Sequence, residues 1–228
     1  MRALRAHNQD GPSTLTVDED PEPAASADAV RIDVHAAGIG FVDALVTRGK
    51  YQIRQEPPFI PGMEVSGVIV EAPETSGLTV GQRVTAYMVA GGCAETVWAA
   101  QDHVAPLADD LTHAQGAPMV VNYHTALLAL TRRAAEPSGE RVLVHGAGGG
   151  LGSAFVHIAG ALGAQVIAVA GSPERRALAR TAGAQVVHEQ QEWFAAIRAA
   201  GGVDVIVDPV GGDVFEQSVR CLAPRDDC

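Results

Sequence analysis

A chain of 228 residues holds one large domain or two small ones, and its 47% hydrophobic content with only 4% aromatics means that Val, Ile, Leu and Ala must fill a globular core. A net charge of −11, with no segment that alternates basic residues with stacking aromatics, excludes a general nucleic-acid binder, whose phosphates need a basic surface. Three scattered cysteines, Cys93, Cys221 and Cys228, fit a reduced cytoplasmic thiol set better than a disulfide framework.

In chain order, the N-terminal Met1–Arg5 has no apolar signal core behind it. From Ala29 to Ala37, Val30, Ile32, Val34 and Ala36 alternate with Arg31, Asp33 and His35, which predicts a strand with one buried face. Val65–Glu71, Arg83–Tyr87 and Ala94–Ala99 read as further strands, punctuated by Pro57-Pro58, Pro61-Gly62, Gly81 and Gly91-Gly92. Short strands with such turns predict a β-rich, barrel-like domain over residues 1–115. Thr112 suits a helix N-cap, and residues 119–135 read as one long helix that Pro137-Ser138-Gly139 ends. Residues 116–228 then alternate strands and helices, with one mixed segment before the last strand, and that order implies right-handed βαβ units on a parallel sheet. Residues 142–173 contain no Asp, Glu, Lys or Arg, but their glycines, His145 and His157 divide the apolar residues into two short strands and a helix, so no membrane span or membrane partner is expected.

The chemistry concentrates at Gly146–Gly152. Arg141–His145 is a short buried strand, and the glycines follow at once. Phe155, Ile158, Ala159 and Leu162 then mark one helix face, with Gly163 where a C′ glycine belongs and Gln165–Val169 as the next strand. Gly146, Gly149, Gly150 and Gly152 therefore sit between a strand and a helix N-terminus, where free N–H groups and the helix dipole can hold a pyrophosphate that side chains would obstruct. The spacing is G-x-x-G-x-x-G rather than the commoner G-x-G-x-x-G, and a ligand-free structural turn is the plain alternative. An NAD site usually places an acid at the end of the second strand, whereas this end reads Val169-Ala170-Gly171-Ser172. Ser172 and Pro173 suit the N-cap and first position of the next helix, and Arg175 in its first turn could pair with a ribose 2′-phosphate. Arg175 and Arg176 could equally be solvated helix arginines; the missing acid favours NADPH.

Several stretches together resemble the zinc-free quinone oxidoreductases of the medium-chain dehydrogenase/reductase superfamily, relatives of zeta-crystallin. They are Ala36–Asp43 (AAGIGFVD), Thr47–Tyr51 (TRGKY), Pro58–Gly67 (PFIPGMEVSG), Val121–Ala126 (VNYHTA), His145–Gly152 (HGAGGGLG) and Asp208–Asp213 (DPVGGD). The resemblance runs to about Ala223 and implies a fold of class α/β, with an N-terminal GroES-like β-rich domain followed by a Rossmann domain that is incomplete at the C-terminus. It also implies an often dimeric enzyme that moves a hydride from NADPH to a small-molecule quinone or enone in a cleft between its domains. Tyr51 matches a cofactor- and substrate-facing tyrosine whose hydroxyl could hydrogen-bond the acceptor or relay a proton, and Thr125 matches a position near the nicotinamide. Asn122 and Tyr123 are further cleft candidates, while His124, His145 and His157 are read as structural.

Zinc-dependent relatives carry a ligand Cys where this chain has Gly40 and a ligand His where it has Met63, so no metal is expected although Glu64 remains. Many relatives place Asn at the position of Gly40. The family runs on beyond residue 228, and the last stretch, Ala223–Cys228, shows no strand pattern. Three readings follow: an NADPH-dependent quinone or enone reductase, a catalytically impaired dinucleotide-binding remnant of one, and an interaction module that uses an unpaired sheet edge.

Overall fold

The structure is a computed structural model, and it describes all residues except 25, 27, 133, 135–137 and 225–228. Pro137, Cys228 and most of the C-terminal stretch lie outside the described residues. The chain divides into two compact units, Met1–Val121 and Asn122–Cys228.

The first unit is antiparallel. Strands β1 (Arg2–Arg5) and β2 (Thr16–Glu19) pair with each other, and a second sheet begins at β3 (Ala29–Gly38). Helix α1 (Phe41–Val46) follows, then β4 (Glu64–Glu71), β5 (Arg83–Tyr87), β6 (Thr96–Ala100) and β7 (Val104–Pro106), giving the order β6-β3-β4-β5-β7. Val30 and Ile32 are fully buried while Asp33 and His35 face outward, as the alternation requires. Beyond Val34 the register slips. Val34 pairs with Gly67 and Ala36 with Ser66, so His35 is an extra residue in a bulge. Gly67 sits inside a strand because a β-carbon there would lie 2.0 Å from the Asp33 carbonyl oxygen across the pair. The expected strand at Ala94–Ala99 begins two residues later, at Thr96, because Ala94 instead makes an isolated bridge to Ala3.

Thr112 caps α2 (His113–Gly116): its Oγ1 accepts from Gln115 N at 3.2 Å, and its own N donates to Gln115 Oε1 at 2.9 Å. Helix α3 (Met119–Arg132) begins beyond Pro118 and covers the expected long helix as far as Arg132; Ala134, within the expected span, is a bend.

The second unit is a doubly wound parallel sheet. Strand β8 (Arg141–His145) leads through α4 (Gly150–Ala161) to β9 (Gln165–Val169), and α5 (Pro173–Thr181) leads to β10 (Val186–His188). Helix α6 (Trp193–Ala199) then returns the chain to β11 (Val205–Val207), on the other side of β8, followed by α7 (Asp213–Val219). The order β10-β9-β8-β11 puts the reversal of winding beside β8. Val142, Leu143 and Val144 are completely buried, as a strand covered on both faces demands. Val142 and Val144 pack with Ala126, Leu130, Phe155 and Ala159, and Leu143 packs with Trp193, Ile197 and Val203 on the opposite face. The end of the chain resumes sheet pairing: Leu222 bridges Val203 in parallel, and Ala223 N donates to Val203 O at 2.8 Å, an extended stretch that the side-chain pattern does not signal. Among the described residues, no helix is long and apolar enough to cross a membrane.

His145 closes β8 inside this core. Its ring meets Trp193 edge-on at 4.5 Å, and its Nε2 is 3.0 Å from Ser218 Oγ. Burial holds the imidazole below the ordinary histidine range, against a smaller opposing pull from Asp208. The unfolded chain therefore binds a proton that the folded one refuses, and this stability is lost as pH falls below about 6.5. His145→Gln should show a smaller drop in urea midpoint between neutral and mildly acidic pH than the wild type, followed by Trp193 fluorescence. Equal pH dependence in the two proteins would sink this account.

Candidate functional site

Helix α4 starts abruptly out of β8. Gly146 turns the chain at φ +62°, Gly149 N donates to Gly146 O at 2.9 Å, and Gly149 is the N-cap with extended backbone. The first-turn N–H groups of a helix have no intrahelical acceptor, and no acidic residue stands in this first turn. The loop lies at the carboxyl end of β8, at the reversal of strand order, which is where open α/β sheets bind ligands.

The glycines have different duties from those the spacing suggests. At Gly152 a β-carbon would lie 2.2 Å from Gly146 O, so this residue is glycine to let the turn close on itself. Gly148, which the G-x-x-G-x-x-G spacing passes over, is glycine because a β-carbon would lie 2.5 Å from both Arg175 Cβ and Arg175 O. At Gly150 the nearest group would be Asn122 Nδ2 at 3.3 Å, and at Gly149 it would be Gly146 O at 3.3 Å. Close internal packing, more than clearance for a ligand, accounts for Gly148 and Gly152.

Arg175 is therefore seated against the loop. Ser172 is the N-cap of α5 with Pro173 at the first position, and Ser172 Oγ accepts from Arg175 N at 3.3 Å. The Arg175 side chain is exposed, and its guanidinium makes no ion pair among the described residues. Arg176 differs: its Nη1 donates to Gly171 O at 2.8 Å and its Nη2 meets Glu189 Oε1 at 2.8 Å. The Asp208–Asp213 motif forms the turn after β11, with Asp208 Oδ1 accepting from Val210 N at 2.9 Å and Gly211 N at 3.0 Å. That turn places Pro209 beside Gly146, with its Cγ 3.7 Å from where a β-carbon would stand. Sequence spacing did not single out Pro209 for this corner; a proline directly after a strand-ending Asp was the available signal.

Thr125 is exposed on α3, one helical turn beyond Asn122. Tyr123 is committed elsewhere, its hydroxyl 2.6 Å from His157 Nδ1 on α4. Tyr51 belongs to the first unit, where its half-buried ring packs beside Ala6, Val46 and Phe59.

In that unit Gly40 N donates to Asp43 Oδ2 at 2.7 Å, which caps α1, and Asp43 Oδ1 accepts from Gly62 N at 3.2 Å. Glu64 is buried and accepts from Val121 N at 2.7 Å, at the start of α3. Burial, and less so the Asp43 charge, raise the Glu64 pKa, and the N–H groups of Val121 and Val120 oppose this only in part. The Cys93 thiol is pushed up to about 12, first by burial and then by Asp43, so at neutral pH it is protonated and not a nucleophile. Among the described residues, no group of three or more His, Cys, Asp or Glu side chains could hold a metal ion.

Two family models match the chain: the alcohol dehydrogenase GroES-like domain over residues 26–117, and the zinc-binding dehydrogenase family over residues 150–228. A bovine (Bos taurus) protein called quinone oxidoreductase-like protein 2 is 37% identical over 92% of this chain, which spans 62% of that relative's length. Mouse (Mus musculus) quinone oxidoreductase is 35% identical over 98% of this chain and 70% of its own length. Among solved structures, the quinone oxidoreductase of Thermus thermophilus, determined alone and with NADPH, superposes with a TM-score of 0.87 at 38% identity. That superposition covers 98% of this chain and 71% of the Thermus chain. A probable oxidoreductase from Mycobacterium abscessus superposes with a TM-score of 0.93 at 41% identity, over 98% of this chain and 72% of its own.

The packing at the loop makes a sharp distinction among glycines. Gly152→Ala, which sets a β-carbon 2.2 Å from Gly146 O, should destabilise the chain by about 1–3 kcal/mol. Gly171→Ala, where a β-carbon meets nothing within 4 Å, should unfold as the wild type does. Urea unfolding followed by tryptophan fluorescence measures both, and equal midpoints for the two variants would show that Gly152 is not compelled by packing.

Proposed function

The chain belongs to the quinone oxidoreductase family of the medium-chain dehydrogenase/reductase superfamily, and from that membership and the geometry of the glycine loop we propose that it binds NADPH and reduces a quinone or another conjugated carbonyl. The observation that carries this reading is Arg175. Its backbone and Cβ pack against the glycine loop, its side chain is exposed with no ion-pair partner among the described residues, and the adjoining strand end, Val169-Ala170-Gly171-Ser172, carries no acid. The residues present fit the group. The N-terminus of α4, bounded by Gly149 and Gly150, would hold the pyrophosphate, and Ser172 and Arg175 would hold the adenosine 2′-phosphate by charge-assisted hydrogen bonds. Thr125, on a helix that packs beside the loop, is proposed to approach the nicotinamide end.

When bound, NADPH supplies two electrons as a hydride. The chain's own contribution is to bind and orient. The loop fixes the phosphates, so that binding energy is spent on position rather than on bond making. Tyr51, whose hydroxyl has no hydrogen-bond partner among the described residues, is proposed to donate a hydrogen bond to the acceptor's oxygen and to hold the proton that oxygen takes up on reduction. Zinc independence is part of the same proposal. Gly40 and Met63 offer no ligand, and Glu64 is engaged at the start of α3. Elemental analysis of protein purified without a metal-binding tag should find far less than one zinc per chain.

The decisive experiment is quinone-dependent oxidation of NADPH and of NADH, with direct titration of both nucleotides. NADPH should bind more tightly, and Arg175→Ala should erase about tenfold or more of that preference while barely affecting NADH. Equal affinities in the wild type would remove the NADPH assignment.

A further inference from the structure

We propose that the ion pair between Arg176 and Glu189 sets how strongly the adenosine corner discriminates a 2′-phosphate from a 2′-hydroxyl, with Glu189 as a masked acid and Arg176 as the cation that masks it. This inference rests on the dinucleotide reading above.

Two arginines stand side by side in the first turn of α5, and the structure gives them opposite fates. Arg175 points to solvent beside the glycine loop with no ion-pair partner among the described residues. The side chain of Arg176 is 14% exposed, and two of its guanidinium nitrogens are engaged, on Gly171 O and on Glu189 Oε1, each at 2.8 Å. Glu189 directly follows β10, the strand that neighbours β9, whose end carries Gly171. An acid therefore does reach the end of β9, but from the next strand along and already neutralised. A bare carboxylate at this corner would repel a phosphate and accept hydrogen bonds from ribose hydroxyls, as the acid of an NAD site does. A bare guanidinium would attract the phosphate. Paired, they cancel, and Arg175 is left as the unpaired cation beside Ser172 that reads the 2′ substituent. Glu174, also in this first turn, is exposed, and its carboxylate is drawn below the ordinary range mainly by the Ser172 hydroxyl. It is common to every variant below.

The two halves of one ion pair therefore have effects of opposite sign. Removing Arg176 unmasks the acid and moves selectivity towards NADH. Removing Glu189 frees a second guanidinium and moves it further towards NADPH. A pair that only braced the fold would weaken both nucleotides together and leave their ratio alone.

The test is titration of NADPH and NADH against the wild type, Arg176→Gln, Glu189→Gln and the double variant, with thermal melting to set each at a matched folded fraction. The NADPH-to-NADH affinity ratio should fall by about five- to tenfold in Arg176→Gln and rise by a similar factor in Glu189→Gln, a size set by one unit charge at a partly exposed site. In the double variant it should return to within about twofold of wild type, because the two changes cancel when made together. Ratios unchanged in both single variants, or moved in the same direction, overturn the inference while leaving nucleotide binding intact. A wild type that binds neither nucleotide overturns the dinucleotide reading itself and this inference with it.

Discussion

Gly152 approaches the carbonyl oxygen of Gly146 so closely that a β-carbon would lie 2.2 Å from it, and the second unit is organised around that approach. It lets the chain leave β8 and enter α4 within a few residues, so the helix starts where the strand stops. Because the turn is short, Phe155 and Ala159 of α4 come down onto Val142 and Val144 of β8, and the same helix that offers its N-terminus to solvent builds one side of the core. The start of α4 and the packing of the sheet thus share a single backbone contact. A side chain at that position would disturb packing as well as any ligand held there.

The second organising contact is made of the same material. Gly148 admits the Cα and Cβ of Arg175, and this joins the first turn of α5 to the glycine loop. Ser172 caps the helix and Arg176 ties its guanidinium back to Gly171, so the end of β9 and the start of α5 are held by polar bonds as well as by burial. Charges are sorted by geometry here: one guanidinium is consumed by Glu189, and the neighbouring one stays available.

In the first unit the buried acids serve the backbone. Gly40, Met63 and Glu64 lie in this unit. Glu64 is buried against the start of α3, where helix N–H groups offset the cost of desolvating a carboxylate. Asp43 plays a similar part for α1 and for Gly62, and its charge adds to burial in keeping Cys93 protonated. Each polar group left in this region serves backbone hydrogen bonding, the ordinary duty of buried polar side chains.

Much of this was legible in the residues themselves. The alternation at Val30 and Ile32, the uninterrupted Val142–Val144 run before a glycine turn, the helix face at Phe155 and Ala159, and the Ser172-Pro173 start of α5 are local patterns, and local sterics and burial periodicity suffice to predict them. What spacing could not supply were contacts between residues far apart in the chain. The bulge at His35 depends on where β4 pairs, and the pairing at Leu222 depends on Val203, nineteen residues earlier in the chain. The reason for Gly148 lies at Arg175, and the difference between Arg175 and Arg176 lies at Glu189, on the far side of another strand. The sequence by itself determined most of the longer strands and helices and the glycine turn between β8 and α4. The tertiary structure alone decided which glycines are compelled by packing and which arginine is engaged in an ion pair, because both depend on distances across the sheet that no periodicity along the chain encodes.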